Sequence, residues 1–444
     1  MSSGTLSARK RRTAEPAVVN ESCSADPSFG LFCRDFSKRR FRSPDDRRQP
    51  ARCWSRRPTH GNLDMPNLSR RGAFDLSRTL GSMTSTGFPW LSFDTVPIGL
   101  PIVQAALSGY SDGPMRILAR RTGASYSLCE VMLDQFLVTL KDRKRTSHFL
   151  HLTDEEHPVG GQLMGAEPEQ FAAGATKLVE AGFDVIDINF GCPVRKVLGR
   201  CRGGFHLSQP AVALEIVRRT RDIVPESIPV TVKMRRGIDD SNESRDRFFE
   251  ILEGAFAAGV AGITVHGRTV EQRYVGPSRW EFLTQVKQAV GSKRILGSGD
   301  LFTAQDCLEM IRQTGVDGVT VARGAIGNPW IFEQARALAA GLPLPPWPNL
   351  HRQRDLIREH YELSEATYGS QRCVIMMRKF GIKYAALHPD YELVRADFAR
   401  AKSREDWKRV LVDWYSDDRP GVDPESNRHR SAGEAEEDCS SANG

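Results

Sequence analysis

Between residues 102 and 322 the chain alternates, eight times over, a short β-branched or apolar run with a longer stretch of helical spacing. The runs fall at 102–106, 126–131, 159–164, 185–189, 229–234, 262–266, 294–297 and 318–322. In the stretch 168–181, Phe171, Ala175, Leu178 and Val179 recur at i, i+4, i+7 and i+8 and share one helix face. Strands separated by helices pair in parallel, because a parallel neighbour needs a long crossover. Eight such units over about 230 residues predict a closed (β/α)8 TIM barrel rather than an open sheet.

The flanks read differently. Residues 1–92 are rich in Arg, Ser and Pro without a sustained period, so they are expected to form a disordered basic extension. The barrel is expected over 93–335, an all-helical domain over 336–416, and a disordered acidic tail over 417–444. A Pro-rich connector at 341–348 leads to helices expected at 351–368, 372–387 and 392–415. The net charge of +7 is unevenly spread. Residues 1–90 hold 17 Lys and Arg against 8 Asp and Glu, and residues 417–444 hold three Arg against eight acids. The remainder carries only +3, so the headline charge says little about a polyanion-binding fold.

No apolar h-region follows Lys10 to Arg12, so neither a signal peptide nor a twin-arginine leader is expected. The extension is then a solvated tail, a start chosen upstream of Met65 or Met83, or a nucleic-acid tether. No run of 18 apolar residues predicts a membrane span. Nine cysteines, an odd number with no CxxC pair, fit neither a disulfide framework nor a zinc site. The expectation is a cytoplasmic, reduced protein without membrane or metal.

In such a barrel the active site lies at the C-terminal ends of the strands. Those ends carry Ala106-Leu107-Ser108-Gly109, Cys129-Glu130, Gln162, Asn189-Phe190-Gly191-Cys192-Pro193, Lys233 with Arg235, His266-Gly267-Arg268, Gly297-Ser298-Gly299-Asp300 and Ala322-Arg323-Gly324. A purely structural barrel has no need of that convergence. The last two turns suit a phosphate, since glycine lets the backbone approach closely and Arg323 adds a charged donor. Lys233 lies inside the apolar run Val230-Thr231-Val232-Lys233-Met234 and must meet an anion or electron-rich partner, if not an ordinary edge salt bridge. Gln162 offers both donor and acceptor to an imide-type edge, and His266 is either a cofactor donor or a satisfied core residue. Cys192 sits on a tight turn between Gly191 and Pro193. An exposed thiol with a pKa of about 8.5 is mostly protonated at neutral pH, so it can act as a general acid as well as a nucleophile. Cys201 has basic neighbours but no motif, and reads as structural.

From about Pro97 to Tyr384 the chain resembles the tRNA-dihydrouridine synthases. The matching stretches are Asp187-Ile188-Asn189-Phe190-Gly191-Cys192-Pro193 with Lys196-Val197, then Val232-Lys233-Met234-Arg235, Val265-His266-Gly267-Arg268-Thr269, Gly299-Asp300, and Ala322-Arg323-Gly324-Ala325 running into Gly327-Asn328-Pro329-Trp330. Arg378-Lys379 and Tyr384 match the family's basic-aromatic stretch more loosely. The resemblance implies an FMN enzyme, recharged by NADPH, that reduces the C5=C6 bond of tRNA uridines. Cys192 would protonate C5, and Asn189 and Arg235 would orient the base. Gln162, Lys233 and His266 would hold the isoalloxazine. Ala106, Leu107, Ser108, Ser298, Gly299, Asp300, Ala322, Arg323 and Gly324 would complete the FMN shell. Arg378 and Lys379 would contact tRNA, with the chain acting as a monomer.

Three stretches depart from the family. Ala105-Ala106-Leu107-Ser108-Gly109 replaces Ala-Pro-Met-x-Gly, Ser298 replaces an Asn before Gly-Asp, and Gly203-Gly204-Phe205-His206 replaces Gly-Ser-Ala-Leu. Two other readings stay open: a small-molecule flavin oxidoreductase resembling dihydroorotate dehydrogenase, and a redox-inactive tRNA-binding barrel. A requirement for RNA in turnover separates the first, and a colourless purified protein would support the second.

Overall fold

The computed structural model describes Phe88, residues 90–140, residues 147–425 and Asn427. Most of the expected extension, and the tail beyond Asn427, lie outside these residues. An antiparallel hairpin comes first, β1 (Leu91–Phe93) and β2 (Val96–Gly99). Nine parallel strands follow: β3 (Ile102–Gln104), β4 (Ser127–Leu128), β5 (Met132–Leu133), β6 (Val159–Met164), β7 (Val185–Phe190), β8 (Val230–Arg235), β9 (Gly262–His266), β10 (Ile295–Ser298) and β11 (Gly318–Val321). Their order is β4-β3-β11-β10-β9-β8-β7-β6-β5, and β4 also pairs with β6, which closes the sheet into a barrel. All eight expected strands are present; the second is shorter than expected, because the chain leaves the ladder after Cys129 N–H bonds Gly160 O and rejoins β6 only as β5, beyond the expected run.

Helices α1 (Gly113–Arg121), α2 (Asp134–Thr139), α3 (Pro168–Glu180), α4 (Arg195–Leu198), α5 (Pro210–Ile223), α6 (Asn242–Ala257), α7 (Trp280–Val290), α8 (Ala304–Thr314) and α9 (Trp330–Ala339) fill the crossovers and the last turn of the barrel. The apolar stripe of α3 buries Phe171, Ala175 and Leu178, as its spacing predicts. Helix α9 runs across the expected boundary at 335, because Trp330, Ile331, Phe332 and Ala335 are buried in the same core as the barrel helices.

Alternate residues of a strand share a face, so the register stacks the barrel interior in layers. The lowest layer is apolar: Val103, Leu128, Val185 and Leu296 meet Leu91, Phe93 and Ile98 of the hairpin, which plugs that end. Phe93 packs edge-on to Tyr126 with ring centroids 6.0 Å apart, and the bare Cα of Gly262 leaves room for its ring. Above lies a polar layer in which Gln162, Asp187 and Thr231 stand side by side in register. At the top, Asn189 is beside Lys233, and Arg235, His266 and Ser298 follow in register. Polarity therefore rises along the barrel axis toward the C-terminal mouth.

The C-terminal region is helical: α10 (Leu350–Tyr368), α11 (Ser370–Tyr384), α12 (Tyr391–Arg400) and α13 (Arg404–Tyr415). The single helix expected at 392–415 is two. Ala401 adopts extended backbone, and Ser403 caps α13 in a reciprocal box with Asp406. The region docks on the barrel beside α1: Tyr368 Oη donates to Asp112 Oδ2 (2.8 Å), and Phe380 meets Tyr110 edge-to-face at 5.4 Å.

Two expected disordered boundaries are corrected. Leu91 and Ser92 belong to β1, because the apolar residues around them cover the barrel floor. The tail is fixed well past 417: Leu350 N–H donates to Arg419 O, Val422 N–H to Leu387 O, and Asn427 Nδ2 to Ala386 O. These bonds satisfy carbonyls and amides that the helix ends leave open.

Candidate active site

The mouth is built where β6 to β11 end. Cys192 follows β7 on a turn held from both sides. Its carbonyl accepts from Gly204 N–H (3.0 Å), and a Cβ on Gly203 would come within 2.8 Å of the Cys192 Cβ. The stretch that departs from the family pattern therefore supplies the small residues that this turn requires. The thiol is half-buried, not exposed as expected. Burial pushes its pKa up, opposed by the Val194 N–H and by Arg235. It holds its proton at neutral pH more firmly than a free cysteine does.

Lys233 lies beside Asp187 of the neighbouring strand β7, and burial lowers its pKa to about 8 against the pull of that carboxylate. Among the described residues its Nζ makes no hydrogen bond or ion pair, so it remains available to an anionic or electron-rich ligand. His266 Nδ1 accepts from Arg268 N–H (3.1 Å), which leaves the proton on Nε2. Burial, followed by the positive charge of Lys233, Arg235, Arg268 and Arg323, drives its pKa well down, so the ring is a neutral donor.

Gln162 is partly committed within the barrel. Its Nε2 donates to Asp187 Oδ2 (2.7 Å) and its Oε1 accepts from Asn189 Nδ2 (2.7 Å), leaving one N–H and one lone pair for a ligand. Asn189 is committed as well, since its Oδ1 accepts from Gly191 N–H (2.9 Å). Arg235 is only 3% exposed and braces the rim: Nε donates to Gly191 O (2.9 Å), and Nη1 to Thr269 O and Arg273 O (both 2.7 Å).

On the β10 and β11 side, Asp300 Oδ1 and Oδ2 both accept from Arg268 Nη2 (2.8 Å each), and Arg323 approaches Oδ1 at 3.4 Å. Asp300 also accepts from Ser278 N–H (2.8 Å), and these bonds tie the loop together. The two guanidinium groups outweigh its charge, and among the described residues Arg268 Nη1 is buried without a hydrogen-bond partner. An unpaired buried donor beside a net positive turn fits an anion. Ser298 is buried, with its carbonyl taken by Ser278 Oγ (3.3 Å), and Gly299 has a φ of +111° that favours glycine. Gly324 lies against the β10 loop, where a Cβ would come within 2.3 Å of Leu301 O. Ala106 and Leu107 are half-buried and Ser108 is exposed after the neighbouring strand β3, and Ala322 is half-buried at the end of β11.

The helical residues divide. Arg378 is half-buried on α11. Lys379, expected to contact tRNA, lies on the side of α11 that faces the barrel: its Nζ stands 5.0 Å from the Tyr110 ring centroid and 5.2 Å from that of Phe380. Asp112 and Glu130 draw it there.

Several site residues were not singled out from sequence. Asp187 lies in the middle of β7, two residues before Asn189, and that spacing of two was the available signal. Arg268 was visible only as part of the His266 motif. Tyr274, 58% exposed on the rim, gave no signal; Arg235 and Arg323 stand over its ring at 5.7 and 5.1 Å. Among the described residues no group of three His, Cys, Asp or Glu could hold a metal, and no helix is long and apolar enough to cross a membrane.

Comparison with known proteins gives one consistent relationship. A family model described as dihydrouridine synthase matches residues 103–415. The tRNA-dihydrouridine synthase B of Xanthomonas campestris is 33% identical over 326 residues, covering 73% of this chain and 95% of that protein. A probable tRNA-dihydrouridine synthase of Mycobacterium tuberculosis is 32% identical over 332 residues, covering 73% and 84%. The tRNA-dihydrouridine synthase B of Pseudomonas aeruginosa is 32% identical over 312 residues, covering 70% and 91%.

Proposed function

The chain belongs to the dihydrouridine synthase family, and from that membership we infer that it reduces uridines in tRNA to 5,6-dihydrouridine with a bound flavin. The observation that carries the chemistry is the half-buried Cys192 thiol, kept protonated on a fixed turn at a mouth ringed by Lys233, Arg235, Arg268, His266 and Arg323. FMN is the flavin that this mouth suits. Lys233, His266 Nε2 and the remaining N–H of Gln162 offer donors to a ring edge, and Arg268 Nη1 and Arg323 offer donors to a phosphate. When bound, FMN recharged by NADPH supplies the hydride that goes to C6 of the uracil.

The chain's own residues do the rest. Cys192 Sγ gives its proton to C5, so that one hydride and one proton together saturate the double bond. A thiol is suited to this because at neutral pH its proton is still present, yet it leaves at moderate cost. Arg235 fixes the rim by bridging three backbone carbonyls. Asn189 is the residue of the Cys192 turn that meets the base. A uridine in folded RNA is stacked, so it must leave the stack to reach this depth. Tyr274 on the rim offers a π-face to an unstacked base, held in position by its two arginines. The α10 to α13 region supplies the outer RNA contact, with Arg378 among its basic groups, and Lys379 acts at the inner edge of the mouth.

The test is Cys192→Ala on full-length protein with unmodified tRNA. Flavin content and RNA affinity should stay at wild-type values, while dihydrouridine formation falls by about 10²- to 10⁴-fold, the usual worth of a general acid. Wild-type turnover in that variant would rule out the thiol as proton donor.

A further inference from the structure

A hydrogen-bond chain leads from the barrel axis to the Cys192 turn, and each link has a defined direction. The Gly191 backbone N–H can only donate, and it donates to Asn189 Oδ1 (2.9 Å). Asn189 is thereby oriented with Nδ2 toward Gln162, and donates to Oε1 (2.7 Å). Gln162 in turn points Nε2 at Asp187 Oδ2 (2.7 Å). Asp187 closes the chain, and its other oxygen accepts from the Thr231 hydroxyl (2.6 Å). An amide side chain has two nearly isosteric ends, and only its partners decide which way round it sits. Here an obligate donor at one end and a carboxylate at the other leave one arrangement in which every link is satisfied.

Asp187 is 2% exposed and lies one layer below the mouth. A buried carboxylate is costly to retain unless its interactions repay its desolvation. We propose that Asp187 is a positioning residue, which anchors the far end of this chain and so, together with the Gly191 N–H at the near end, holds Gln162, Asn189 and the Cys192 turn in their working geometry. The inference rests on the reading of Cys192 and Gln162 given above, but its mechanical content does not depend on turnover. The competing role, a counter-ion for Lys233 alone, requires the charge and not the hydrogen-bond direction.

Two substitutions separate them. In Asp187→Asn the new carbonyl still accepts from Gln162, while the new amide donates to Thr231, whose hydroxyl accepts as readily as it donates. Direction survives and only charge is lost. In Asp187→Leu the acceptor is gone, Gln162 Nε2 is left unpaired, and Gln162 and Asn189 are held from the Gly191 end alone. The readout is the rate at which iodoacetamide alkylates Cys192 in the purified full-length protein, measured by peptide mass spectrometry. Exposed Cys201 serves as an internal reference.

Asp187→Asn should stay within about twofold of wild type at Cys192, and Asp187→Leu should react at least about fivefold faster, as expected for losing one hydrogen bond's worth of order. Cys201 should not change in either. An Asp187→Leu protein with wild-type reactivity at Cys192 overturns the proposal, as does an Asp187→Asn protein that reacts as fast as the leucine variant. Should Asp187→Leu fail to fold, Gln162→Leu cuts the same chain one link on and must give the same rise. Unchanged reactivity there also overturns the proposal. Because alkylation needs neither RNA nor reductant, failure here counts against Asp187, whereas wild-type turnover by Cys192→Ala counts against the proton-donor reading.

Discussion

Glu130 is the side chain on which the two halves of the molecule converge. It follows β4, accepts from the Gly109 N–H, and faces Asp112 and Lys379. Burial first, and then the Asp112 carboxylate, raise its pKa to about 7. A carboxyl whose pKa is higher in the folded state is a penalty that grows with pH. It is absent below the unfolded value, builds as pH rises from there, and is complete above about 7. Glu130→Gln should therefore leave thermal stability at pH 4 unchanged and increase it at pH 8 by about 1–2 kcal/mol, after allowing for partial exposure. Equal melting temperatures of variant and wild type at pH 8 would mean that Lys379 fully neutralises the group. The sequence displayed Glu130 at a strand end but not its neighbours, since Asp112 and Lys379 are brought to it by α1 and α11. Cys192, Lys233 and His266 were legible because each interrupts an apolar strand or a glycine turn within a few residues. The commitments of Gln162 and Arg235 were not, because they depend on pairings between strands far apart in the chain.

Among the secondary-structure elements, the strands were the most legible and the hairpin the least. Every barrel strand is a buried run bounded by turn residues, and two of them, β6 and β9, have the expected limits. The β1–β2 hairpin has three and four residues, too short for a period to show, and its apolar side chains make sense only against the barrel floor. Phe93→Ala should destabilise the protein by about 3–5 kcal/mol, the range for truncating a fully packed aromatic, as read by denaturant unfolding. Flavin content measured below the transition should not change, because the mouth lies at the other end of the strands. A loss below about 1 kcal/mol would show that the floor closes up without the ring. The break between α12 and α13 was hidden for another reason. Ala401 and Lys402 are acceptable helix residues, and the capping box of Ser403 and Asp406 outweighs them only once Trp407 and Val410 are buried.

At the level of the whole chain, the net charge of +7 has its largest share in residues 1–90, outside nearly all of the described structure. The cations that the proposed reaction would use are few and placed at one end of the barrel, where strand ends and α11 bring them together. The opposite end is stoppered by Leu91, Phe93 and Ile98. A vessel open at one end serves its visitors in turn. On the function proposed above, the nicotinamide that would deliver reducing equivalents and the nucleotide that would receive them share the same doorway, so one would have to leave before the other arrives. Initial rates measured against both substrates should give parallel double-reciprocal lines, with each substrate inhibiting at high concentration by occupying the form meant for the other. Intersecting lines without mutual inhibition would mean that both can be held at once. In living cells, then, the pace of modification would depend on both the reductant and the unmodified RNA and, where both are abundant, on the ratio between them.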